Sequence, residues 1–126
     1  MNNKRFYDLY MDYEGLRKNG IYPCDIDMFY ECQDGYLIIG EAKLQGYHIK
    51  GKQEKVLTDT INGHKQGGVL MEIEHTERVQ DGAESVNVAE CLVRRAYFNS
   101  EWHEYKKPLK VLKWMKALDE KHGYAV

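Results

Sequence analysis

The sequence predicts an α/β domain with a mixed β-sheet flanked by helices, in the order α-β-β-α-β-β-α. Three observations predict it. A helix-periodic N-terminal stretch leads into two short strand-like runs around a Gly-containing turn. A second helical stretch then precedes another alternating strand, the arrangement of a parallel crossover. A last strand-like run gives way to a C-terminal amphipathic helix. With 126 residues, a single domain over 1–126 is expected.

Residues 4–18 carry Phe6, Leu9, Tyr10, Tyr13 and Leu16 on one side at helical spacing. Asn19-Gly20 stops this helix, and Pro23 keeps the following segment extended. The paired strands fall within 25–43. After a loop with Gly46 and Gly51, a helix is expected over 52–63, with Val56, Leu57, Thr60 and Ile61 inward. Gln53 lies on that face one turn earlier. Gly67-Gly68 interrupts the pattern, and Val69, Met71 and Ile73 then alternate with Leu70, Glu72 and Glu74 in a strand parallel to the second. Glu72 and Glu74 read as solvent-facing charges, with an extension of an acidic site as the alternative. Residues 76–85 read as a loop, 86–98 as a strand and 99–107 as a loop. Pro108 suits a helix first turn, and the final helix runs to about His122 with Val111, Leu112, Met115 and Leu118 buried.

Composition narrows the classes. Apolar residues make up 43% of the chain, which supports a folded globule. No apolar run is long enough to span a bilayer, and the start Met1-Asn2-Asn3-Lys4-Arg5 lacks a signal-peptide core, so no membrane and a cytoplasmic location are expected. Cys24, Cys32 and Cys91 have no paired spacing and read as reduced thiols. The five histidines lack zinc-site spacing, and no acyl-transfer, P-loop or dinucleotide motif occurs. A net charge of −2 counts against a phosphate-binding protein, yet lysines cluster at Lys50, Lys52 and Lys55 and at Lys106, Lys107 and Lys110. These are candidate nucleic-acid contacts, with solvated helix faces as the plainer alternative.

The stretch from Asp25 to Lys43 concentrates the chemistry. Glu41 and Lys43 project from one strand face after the apolar run Tyr36–Ile39. With Gln33-Asp34-Gly35 as a three-residue loop and Gly35 left-handed, Cys32 pairs with Tyr36. Asp27 then lies opposite Glu41 and Asp25 opposite Lys43, giving three carboxylates and one ammonium on one face. A two-residue turn at Asp34-Gly35 would send the aspartates to the other face. The helix beginning at Lys52 brings Gln53 near the end of that strand, where α/β units commonly place their sites.

Asp-(spacer)-Glu41-x-Lys43 on a hairpin, followed by a helix opened by Gly51-Lys52-Gln53, resembles the PD-(D/E)XK nuclease superfamily. The resemblance covers residues 22–62 and extends to Holliday-junction resolvases and small phage nucleases. Cys24 separates Pro23 from Asp25, a departure from the family pattern. Asp27 fits the spacing to Glu41 better, and Asp25 stays as the alternative ligand.

The resemblance implies a restriction-endonuclease-like fold and hydrolysis of DNA phosphodiesters, with RNA left open. It implies Mg²⁺ as cofactor, with Mn²⁺ able to substitute, held by Asp27, Glu41 and the Ala42 backbone carbonyl. Asp25 would bind a second cation or support the first. Some members add a carboxylate from the first helix, here Glu14 or Asp12, although a solvated charge is the plainer reading. Lys43 would position water or stabilise charge on the phosphate, and Gln53 would orient water or substrate. Small members are often phage-borne and homodimeric. The rival reading is a nuclease-like fold that binds nucleic acid or a protein partner without cleaving.

Overall fold

The computed structural model describes residues 14–21, 26–83 and 85–123. It shows an α/β architecture with a five-stranded mixed sheet and, among the described residues, three helices. The elements are α1 (Glu14–Arg17), β1 (Met28–Glu31), β2 (Leu37–Leu44), α2 (Gly51–Gly63), β3 (Gly68–His75), β4 (Leu92–Phe98), β5 (Glu101–Glu104) and α3 (Val111–His122). The strands lie in the spatial order β1-β2-β3-β4-β5. Only β2 and β3 are parallel, because α2 carries the chain back between them. Among the described residues, no helix is long and apolar enough to cross a membrane.

The turn chemistry sets the β1–β2 register. Gly35 takes φ +91°, its N–H donates to the Cys32 carbonyl at 2.9 Å, and the Cys32 N–H donates to Tyr36 at 2.9 Å. The ladder runs from Glu31↔Leu37 to Met28↔Gly40. One step further sets Asp27 across from Glu41.

Alternation along the strands divides the core. Leu37, Ile39, Leu70 and Tyr97 face α2 and pack with Ile49, Leu57 and Ile61. Ile38, Val69, Met71, Ile73, Val93 and Ala96 face the other way, against Val111, Trp114, Met115 and Leu118 of α3. The two faces differ: α3 packs on apolar side chains, whereas α2 begins over charged residues.

Several expectations need correction. In α2, Leu57 and Ile61 are buried, but Val56 and Thr60 face solvent. In α3, Leu112 is exposed and Trp114 takes the inward position. Residues 88–90 form a 3-10 turn rather than strand, since β3 ends at His75 and offers no partner before Leu92. The segment 99–107 holds β5, joined to β4 by Asn99 and Ser100 at φ +52° and +63°. That two-residue turn has positive φ at both positions, the form that suits a twisted hairpin. Most of the helix expected over 4–18 lies outside the described residues, as do Asp12 and Asp25.

Glu72 is the largest departure. It is 1% exposed, not solvent-facing. Its Oε2 accepts from Arg95 Nε at 2.9 Å and lies 3.1 Å from His48 Nδ1. Its Oε1 accepts from the Ile49 N–H at 2.6 Å and from Arg95 Nη2 at 3.3 Å. Glu74 is paired too, with Arg94 at 3.1 Å.

Two outcomes are expected. An added Cβ at Gly68 would stand 2.6 Å from the Leu37 carbonyl oxygen, a backbone atom that cannot swing away. Gly68→Ala should therefore cost about 1–3 kcal/mol in urea unfolding. Arg95→Ala strands the Glu72 charge in the interior and should cost about 3–5 kcal/mol in the same measurement. Wild-type stability in either variant would contradict the packing described.

Candidate functional site

Glu41 sits where the apolar run of β2 gives out. It is only 5% exposed, beneath the first turn of α2. Gln53 Nε2 in that turn donates to Glu41 Oε1 at 2.9 Å. The second oxygen, Oε2, is buried and finds no hydrogen-bond partner among the described residues. Asp27 comes from the residue preceding β1, and its Oδ2 accepts the Ala42 N–H at 2.8 Å. This bond fixes the Asp27 carboxylate against β2, next to Glu41.

The electrostatics follow from that placement. Burial, then the Asp27 charge, push the Glu41 carboxyl up to about 7. The Gln53 hydrogen bond and the Lys43 ammonium pull against this shift without cancelling it. An orphaned carboxylate oxygen beside a second carboxylate is an arrangement that a cation would relieve.

The donors on offer are hard oxygens: Asp27, Glu41 and the Ala42 carbonyl between Glu41 and Lys43. Such a set suits Mg²⁺, which binds through one or two carboxylates and completes its shell with water and phosphate. Among the described residues, no three His, Cys, Asp or Glu side chains form a metal-holding group. Glu14 opens α1 with its carboxylate 3.9 Å from Lys18 and does not join Asp27 and Glu41 in such a group.

An open groove of about 480 Å³ adjoins the pair, lined by Ala42, Lys43 and Leu44 of β2, Tyr47, His48 and Lys50 of the next loop, and Gln53. Lys43 and Lys50 thus reach the site. Lys52 is exposed in the first turn of α2, and Lys55 pairs with Asp59 at 2.6 Å. The C-terminal lysines are placed elsewhere: Lys106 and Lys107 are exposed between β5 and α3. Lys110 pairs with Glu90 at 2.6 Å at the start of α3, which packs on the opposite face of the sheet. Tyr47 and His48 carried no signal in the sequence beyond the loop in which they lie. A second hollow of about 300 Å³, beside α3, contains the Tyr36–His122 stack and no carboxylate pair.

No family model, curated protein or solved structure matches this chain.

The raised Glu41 carboxyl has a measurable consequence. The unfolded chain loses this proton near pH 4.5, the folded protein near 7. The stabilisation it contributes is full below pH 4.5 and is lost as pH rises to 7. In chelator-treated buffer, wild type should lose roughly 2–3 kcal/mol relative to Glu41→Gln across that window. Urea titrations at a series of pH values measure this, and parallel profiles for the two proteins would contradict it.

Proposed function

We propose that this chain is a metal-dependent nuclease of the PD-(D/E)XK type, acting on phosphodiester bonds of DNA. The observation that carries the proposal is the buried Glu41 carboxylate, with one oxygen held by Gln53 and the other, beside the Asp27 carboxylate, accepting from no donor among the described residues. Ionising both carboxylates of so close a pair, one of them buried, is costly, and a cation bound between them would remove that cost. Supporting this are the hairpin that presents Asp27 and Glu41-x-Lys43 and the crossover helix that starts over them. In this reading the hairpin, α2, β3 and β4 form a restriction-endonuclease-like unit to which β5 is added.

Asp27, Glu41 and the Ala42 carbonyl would hold Mg²⁺ or Mn²⁺. Bound there, a divalent cation would polarise the phosphate and lower the pKa of water. Gln53 keeps the Glu41 carboxylate in one orientation. Lys43 projects from the same strand face, and its ammonium would hold a non-bridging phosphate oxygen and stabilise the charge that develops on it. Lys50, across the groove, would position the neighbouring phosphate.

Incubating a labelled panel of duplex, single-stranded, flap and four-way-junction DNA with Mg²⁺ or Mn²⁺ tests the proposal. Cleavage is expected with wild type and should fall at least about a hundredfold in Glu41→Ala and Lys43→Ala, the scale of removing one transition-state donor. A folded wild type that neither cleaves any of these nor binds a divalent cation would overturn it.

A further inference from the structure

The loop between β2 and α2 is held more firmly than its exposure suggests. The Gln45 N–H donates to His75 at 2.8 Å and the Tyr47 N–H to Leu44 at 2.9 Å. Ile49 is 1% exposed, and its two peptide groups are taken by Glu72 at 2.6 Å and Arg95 at 2.8 Å. Between these anchors, Tyr47 stands 64% exposed, and its phenol ring has no hydrogen-bond, ring or ion partner among the described residues. Beside it, the His48 side chain is 58% exposed and is tethered through Nδ1 to the buried Glu72. Its Nε2 is the ring atom left for an outside partner.

We propose that the groove beside Lys43 is a binding subsite for an unpaired nucleotide of a nucleic-acid strand. Tyr47 is its stacking platform, and His48, Lys43 and Lys50 are its polar contacts. The inference deepens the nuclease proposal, on which it rests for the position of the reacting phosphate.

The physical case has three parts. Among the described residues no carboxylate lines the groove itself, so Lys43 and Lys50 give its wall a positive charge in a chain whose net charge is −2. Its volume of about 480 Å³ is that of a site for one small molecule. A base inside a duplex has both faces covered by its neighbours, so an exposed aromatic ring on the groove wall can be stacked by an unpaired base but not by one in the interior of a helix. Substrates with single-stranded segments next to the scissile bond are therefore preferred over intact duplex.

The test is fluorescence anisotropy in EDTA, with short labelled single-stranded DNA, single-stranded RNA and blunt duplex DNA as probes. Single strands of either type should bind at least about tenfold more tightly than duplex. Tyr47→Ala should weaken single-strand binding about tenfold and leave duplex binding unchanged, while Tyr47→Phe, which keeps the ring face, binds as wild type. Unchanged single-strand affinity in Tyr47→Ala, or equal weakening toward single strand and duplex, would overturn the proposal. Because the assay contains no metal, the two proposals fail separately. Wild type that binds single strands but cleaves nothing removes the nuclease activity and keeps the subsite. Wild type that cleaves while Tyr47→Ala binds normally does the reverse.

Discussion

A buried carboxylate on β3 ties this structure together. Glu72 accepts two hydrogen bonds from Arg95 of β4, one from the Ile49 N–H, and contacts His48. Arg95 lies 3.8 Å over the Trp102 ring of β5, and the Trp102 indole donates to Glu54 of α2 at 3.0 Å. Two strands, a third strand's aromatic ring, a loop and a helix thus meet at one ion pair. An ion pair at this depth has a heavy desolvation cost, offset only when the lone pairs and N–H groups around it are all engaged. Here both Glu72 oxygens and the Arg95 Nε and Nη2 groups are engaged, and the loop before α2 has little freedom left. The start of α2, and with it Gln53, is placed by that constraint.

Glu41 shows the opposite solution on the neighbouring strand. It is the register partner of Glu72 across the β2–β3 ladder and is nearly as buried. Among the described residues, however, no guanidinium pairs with it. It has a neutral amide, a half-buried lysine and a second carboxylate around it, and its proton affinity rises accordingly. Two glutamates side by side in one sheet therefore differ in what they can do. Glu72 is fully engaged in holding the fold, whereas Glu41 keeps one oxygen without a hydrogen-bond donor among the described residues.

The same division extends to the lysines. A sheet has two faces, and α3 occupies the one away from Glu41. Lys110 therefore belongs to the packing side, with Glu90 as its partner. Lys43 and Lys50 share a groove with Gln53, Tyr47 and His48. Net charge is a poor guide to such a molecule, because local fields depend on which face each side chain joins.

Much of the hairpin was legible because its determinants are local. Gly35 makes a three-residue turn possible, the turn sets the register, and the register puts Asp27 opposite Glu41. The parallel crossover and the approach of Gln53 followed from helix length and the position of Gly67-Gly68. The β4–β5 hairpin was not legible, since Asn99-Ser100 lacks the glycine that usually marks positive φ at a two-residue turn. Nor was the end of strand pairing before Leu92, which depends on where β3 stops. The sequence by itself determined periodicity, turns and the alternation of faces, all of which arise within a few residues. Only the tertiary structure decided which charges are buried and which of them are matched, because desolvation and pairing are set by groups far apart in the chain, as Glu72 and Arg95 are.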